Sequence, residues 1–189
     1  MYWKDEGYLL SKNNLSENTI IIEVFTLNHG KYNGVVYGGS SRKKKNIFQI
    51  GNKILLDWNS KSENKIGYFK TELIYPVSPL FFDNKKKSIC IFSATSILRI
   101  LLPERQINKK IYLSFEKFIN DLNNKNWILL YILWELSLIK ELGFETNLEK
   151  AKLLIHKLNN KDINFSNTEI KSALTFNKNL ILENFITPN

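Results

Sequence analysis

Up to about residue 78 the hydrophobic and polar positions alternate, in short β-branched and aromatic runs broken by clusters of Gly, Asn and Ser. Alternation with a period of two puts successive side chains on opposite faces of a strand, so the pattern predicts five strands. They run roughly from Gly7 to Ser11, Thr19 to Thr26, Gly34 to Gly38, Lys53 to Trp58 and Ile66 to Ile74. Turn signals fall at Lys12 to Glu17, Asn28 to Gly30, Gly38 to Ser41 and Asn59 to Asn64. Short strands so closely spaced predict a small closed barrel, because closure removes the unpaired edges a lone sheet would leave.

Pro76 and Pro79 stand where the period changes, and from Phe82 onward the apolar spacing is helical. Ser88 to Leu102 is strongly apolar and is stopped by Pro103. Ile111, Phe115, Phe118, Ile119 and Leu122 fall on one helical face. Trp127 to Leu142 is apolar nearly all round, which predicts a central helix covered by the others, with Gly143 as its stop. Thr146 with Glu149 forms a capping box that starts a helix at Leu148, and Ser166 with Glu169 starts another through Leu174. Lys178 to Phe185 predicts a last helix, and Asn159 to Asn164 reads as a loop. The class is therefore α+β, with a barrel domain over 1–78 and a helical domain over 79–189.

The formal charge of +9 favours a polyanionic partner such as nucleic acid. Arg42, Arg99 and Arg105 are the only arginines, however, and a Lys- and Asn-rich composition also follows from an AT-rich genome, so the position of the cations has to carry the argument. Cys90 is the single cysteine, which leaves no intramolecular disulfide and no multi-cysteine metal site and fits a reducing cytoplasm. Lys4, Asp5 and Glu6 interrupt the apolar core a signal peptide would need. Trp127 to Ile139, broken by Glu135, falls short of the roughly 18 to 20 residues that span a bilayer, so no membrane association is expected.

Catalytic patterns are wanting. His29 and His156 are far apart, Glu145 and Glu149 share a face only if their helix starts early, and no G-x-S-x-G, P-loop, H-E-x-x-H or dinucleotide fingerprint occurs. The expectation is a protein that is not an enzyme, with no cofactor and no small-molecule substrate. His29, before Gly30 in a turn, reads as structural.

An ordered set of motifs carries a resemblance: Asp5-Glu6-Gly7 before the first strand, a Ser16-Glu17-Asn18 turn, and Thr26 with His29-Gly30. There follow Gly34-Val35, Gly38 and Lys43, then Gln49, Gly51 and Asn52, and in the helical part Leu142-Gly143-Phe144. In this order and spacing the chain resembles the RecO family of bacterial recombination mediators. The resemblance implies an N-terminal OB-fold followed by helices, binding of single- and double-stranded DNA, annealing of complementary strands, and partnership with RecR and with the single-strand-binding protein SSB. Ala173 to Pro188 looks like the family's last helix. Many members carry a four-cysteine zinc site soon after the Leu-Gly-Phe helix. Here Ala151 stands where the first of those cysteines would be, so no metal is expected.

Within that frame Arg42, Lys43, Lys44 and Lys45 form the leading DNA-binding loop, between two barrel strands where OB-folds grip oligonucleotides. Lys31 and Tyr37 precede it, and Lys85 and Lys86, with Lys87, open the first helix, where positive charge opposes the helix dipole. Of Tyr32, Tyr37, Phe48 and Trp58, one or two are expected to face outward and stack on bases, the rest to be core. The acidic, hydrophobic C-terminal tail of SSB needs an apolar groove with a cation at its rim, and Arg99, Arg105, Lys109 and Lys110 are the candidate rims. The competing reading is a protein-interaction adaptor whose barrel binds no nucleic acid and whose charge is compositional.

Overall fold

The strands form where alternation predicts them: β1 (Tyr2–Asn14), β2 (Thr19–Thr26), β3 (Gly30–Tyr37), β4 (Lys53–Asn59) and β5 (Gly67–Tyr75). The computed structural model describes residues 1–42, 44–62 and 65–143. The strands close into a barrel in the order β1-β2-β3-β5-β4, with β3 and β5 parallel and the other four pairings antiparallel. This is the five-stranded OB-type barrel that the alternation and the resemblance both lead one to expect.

Three boundaries differ from expectation. Strand β1 starts at Tyr2 instead of Gly7, since Tyr2 to Glu6 pair with Asn59 to Leu55, so Asp5, Glu6 and Gly7, expected before the first strand, lie within it. Lys12 to Asn14, read as turn, continue β1 and pair with Ile22 to Ile20. Strand β1 is long because its first half pairs with β4 and its second with β2, and the exposed, polar Lys12–Asn14 stretch hides this in the sequence. Strand β3 starts at Gly30 instead of Gly34, since Gly30 to Asn33 pair with Thr26 to Glu23.

Inward side chains fill the barrel: Leu9, Ile20, Ile22, Val24, Val36, Ile54, Leu56, Trp58 and Phe69 are at most 2% exposed. Burying such a side chain contributes about 1.5–3 kcal/mol, so this interior is the main source of the barrel's stability. On the outer face Tyr8 and Phe25 are also buried, because Tyr112 packs against both rings at 5.6 and 5.5 Å.

A 3-10 turn (Ser78–Phe81) leads to α1 (Lys85–Leu101). The Asn84 side chain accepts from the Lys87 amide and caps this helix, which offsets the unfavourable lysines of its first turn. Cys90, Ile91, Ala94, Thr95 and Leu98 form its buried face, and Pro103 follows its end.

Helix α2 (Lys109–Asn120) is capped by Asn108, whose side chain accepts from the Ile111 amide. Ile111, Phe115, Phe118, Ile119 and Leu122, predicted on one face, are all at most 3% exposed. Helix α3 (Trp127–Glu141) buries Leu129, Ile132, Trp134, Leu136, Leu138 and Ile139, while Trp127, Ile128, Leu130 and Leu133 are half-buried. It stops at Gly143, whose φ of +90° suits glycine. The helices predicted after Thr146 lie outside the described residues. By packing, the chain divides into two compact units, Met1–Tyr112 and Leu113–Asn189. Within the second, Phe115 and Phe118 meet the ring of Trp134 at 5.5 and 5.4 Å.

Candidate nucleic-acid interface

The segment from Gly38 to Asn52 joins β3 to β4 and has two different halves. Its second half is fixed to the barrel. Phe48 is 1% exposed within the barrel core, with Ile47 and Ile50 packed beside it, so the loop plugs one barrel end. Asn52, fully buried, donates its side-chain amide to the carbonyls of Asn46 (2.9 Å) and Ile47 (3.2 Å) and accepts from the Ser78 amide (3.1 Å). The backbone of Leu9 exchanges hydrogen bonds with Gly51 and Asn52, and the Ser78 hydroxyl donates to the Ile50 carbonyl. Gly51 has φ +89°, and a methyl group there would sit 2.5 Å from Ile91, so a side chain is excluded twice over.

The first half carries the cations. Arg42 and Lys45 are exposed and Lys44 is half-buried, while Lys43 lies outside the described residues. Charges held outward by an anchored loop can neutralise phosphates without reading sequence. Tyr37, at the entry to this loop, is 66% exposed and lies 6.2 Å from the ring of Tyr68. Phe48 and Trp58 are core and Tyr32 is half-buried, so Tyr37 is the outward aromatic of the four. Lys85 and Lys86 are exposed at the start of α1, and Lys87 lies over the ring of Phe81 at 5.1 Å.

Lys31 is placed differently. It is buried, donates to the carbonyl of Arg99 at 2.7 Å and pairs with Glu23 at 3.6 Å, so its ammonium holds α1 to β2 and β3 instead of facing solvent. The partner lies 68 residues away, which no local pattern could reveal.

Of the candidate rim cations, Arg99 donates through Nε to Glu23 at 2.8 Å with its side chain half exposed. It borders an open recess of about 620 Å³ shared with Ser11, Ile21, Glu23, Asn33 and Ile100. Ile89, Phe92 and Ile100 leave an exposed apolar line on α1. Arg105 lies over the ring of Tyr32 at 5.4 Å with a φ of +60°. Lys109 and Lys110 are exposed in the first turn of α2.

At the other barrel end an aromatic stack closes the core. Trp3 stacks on His29 at 4.1 Å with 9° between planes, and on Trp58 at 5.5 Å with 15°. Asp5, its side chain 2% exposed, accepts from His29 Nδ1 (2.8 Å), the Asn28 amide (2.8 Å), the Asn28 side chain (3.0 Å) and the Glu6 amide (2.9 Å). Burial pushes this carboxyl up, and the hydrogen bonds from His29, Asn28 and Glu6 outweigh that and hold it below its ordinary value of 3.8. Since the carboxylate accepts only, Nδ1 carries the proton. The Asp5-Glu6-Gly7 and His29-Gly30 motifs are thus one structural unit, a link that their separate positions in the sequence do not show.

Among the described residues no group of three or more His, Cys, Asp or Glu side chains could hold a metal ion, and no helix is long and apolar enough to cross a membrane.

Comparison with known proteins agrees with barrel and helices alike. The family model for the N-terminal part of recombination protein O matches residues 1–77, and that for its C-terminal part matches residues 84–167. The chain is 37% identical over 153 residues to a DNA repair protein RecO of Wolbachia from Drosophila simulans, covering 80% of this chain and 63% of that protein. The RecO of Roseobacter denitrificans is 35% identical over 150 residues, 79% of this chain and 62% of that protein. That of Rickettsia felis is 34% identical over 190 aligned positions, 97% of this chain and 78% of that protein. The chain belongs to the RecO family. It spans 63% and 62% of the length of the first two of these relatives.

Proposed function

We propose that this protein is a non-catalytic DNA repair and recombination mediator that binds single- and double-stranded DNA, anneals complementary strands and acts with RecR and the C-terminal tail of SSB. The observation that carries the reading is the division of the Gly38–Asn52 segment, which turns Phe48 into the barrel and Arg42 and Lys45 out of it. In this reading Arg42, Lys43, Lys44 and Lys45 meet phosphates, Lys85 and Lys86 extend the track, and Tyr37 stacks on an unpaired base. Annealing needs charge neutralisation and accessible bases but no covalent chemistry. We assign the DNA role to the barrel (1–78) and the partner role to the helices (79–189). The apolar line of Ile89, Phe92 and Ile100 beside Arg99 supports an acidic, hydrophobic tail as the occupant there.

The test is binding of a single-stranded oligonucleotide against salt concentration, for the wild type and for a variant with residues 42 to 45 all changed to Ala. Every phosphate that the variant no longer neutralises should flatten the slope of log affinity against log salt by about 0.7, so a decrease of up to about 3 is expected. An unchanged slope removes the loop from the interface. No DNA binding at low salt, with an SSB or RecR complex that survives high salt, would favour an adaptor instead.

A further inference from the structure

We infer that the solvent-facing side of the His29 ring is a stacking site for an unpaired nucleobase, at the barrel end opposite the basic loop. The inference rests on the nucleic-acid reading above, but on different residues and a different interaction.

Three parallel rings, Trp58, Trp3 and His29, form a stack that runs out from the core. Trp58 is 2% exposed and His29, the last ring, is 29% exposed in its side chain. One face of the imidazole is covered by Trp3 and its Nδ1 edge by Asp5, so the exposure belongs to the opposite face and the Nε2 edge. Tyr32 meets both rings edge-on, at 5.1 Å from Trp3 and 6.5 Å from His29, and fixes the stack laterally. Asp5, held by its other hydrogen bonds, prevents the ring from turning.

An aspartate–histidine pair can also orient a general base. Among the described residues no hydroxyl or thiol is hydrogen-bonded to Nε2, so this pair has no nucleophile to activate and serves to hold a plane. A ring whose plane is already set loses little freedom when a base joins the stack, and that pre-organisation makes it a better platform than a free surface aromatic. In the neutral ring that carries its proton on Nδ1, Nε2 is an acceptor, suited to a base's amino group.

The position suits one DNA strand. His29 precedes β3 and the basic loop follows it, so the two sites are separated by its eight residues, about 25 Å. A strand crossing this distance would have its phosphates held at one end of the barrel and a base held at the other, within the 4 to 16 nucleotides typical of one OB-fold.

The test uses the full chain and two oligomers of equal charge, a thymidine 12-mer and a 12-mer of abasic units, with His29→Gln and His29→Phe. His29→Gln keeps a donor for Asp5 and removes the ring; His29→Phe keeps a ring and removes the donor. His29→Gln should lose roughly 5- to 100-fold in affinity for the thymidine 12-mer and nothing for the abasic one, with the salt slope unchanged. His29→Phe should retain wild-type affinity for both. Weaker binding in His29→Phe with none in His29→Gln would mean the hydrogen bond matters and not the ring, and weaker binding in neither would mean no base is stacked; each overturns the proposal. A second readout needs no variant: modification of His29 by diethyl pyrocarbonate, mapped by peptide, should slow with the thymidine 12-mer and not with the abasic one. Equal rates overturn the site. Wild-type protein that binds neither oligomer would sink the nucleic-acid reading itself, whereas equal binding of both would spare the charged loop and remove His29.

Discussion

The two ends of the barrel are closed by opposite means. One is plugged by a loop that buries Phe48 and exposes Arg42 and Lys45; the other is sealed by stacked rings locked by one buried carboxylate. At the first end the anchor (Asn52) and the charges proposed to meet phosphates (Arg42 to Lys45) are different residues, so the proposed binding can be altered without touching the anchor. At the second, the ring that caps the core is also the ring that faces solvent, and the two roles separate only through substitutions that preserve either shape or hydrogen bonding.

The comparison breaks most readily at Asn52. Asn52→Ala leaves two carbonyls and the Ser78 amide without their partner in a dry site, and should cost about 3–5 kcal/mol, seen as a Tm lower by about 10 °C or more. A change under about 1 kcal/mol would mean that the loop is not anchored there.

Asp5→Asn should cost less, about 2–3 kcal/mol at neutral pH, because charge-assisted hydrogen bonds are weakened while the shape survives. The sign with pH follows from the depressed carboxyl: its contribution is fully present above the ordinary value of 3.8 and is lost as pH falls through the lower folded value. Urea unfolding across this range should therefore show wild type and variant converging in acid. Parallel curves down to the acid limit would contradict the buried-carboxylate account.

The smallest expected effect is at Tyr37. With 66% of the residue exposed, Tyr37→Ala should change stability by less than about 0.5 kcal/mol. It should weaken single-stranded DNA binding about fivefold or more while leaving duplex binding unchanged, since stacking needs an unpaired base. Equal effects on both DNAs would point to an interaction with the backbone.

Much of this is legible in the sequence because most elements bury one regular face. Ile54, Leu56 and Trp58 alternate in β4, and Ile111, Phe115 and Phe118 recur at helical spacing in α2, and both patterns survive into the fold. What stays hidden depends on partners far along the chain. Lys31 reads as a surface cation until Glu23 and the Arg99 carbonyl are brought to it, and Asn52 reads only as the end of the Gln49, Gly51 and Asn52 motif until Ser78 closes over it. His29 reads as structural in the sequence and is structural in the fold, but nothing near it in sequence announces the Trp3 stack, because the strand that supplies Trp3 and Asp5 lies more than twenty residues earlier and meets it through the β1–β2 pairing that sets Gly7 beside Thr26.

One consequence of the fold concerns self-association. Strands β3 and β5 pair only at Gly34–Gly67 and Val35–Tyr68, which leaves the start of β3 with a side that β5 does not cover. Glu104 bridges to Lys31 in parallel there, the Arg105 amide donates to the Lys31 carbonyl at 2.8 Å, and the Asn33 side chain donates to Glu104. The segment after α1 thus occupies hydrogen-bonding positions which, left open, are the kind that template a neighbouring molecule's strand.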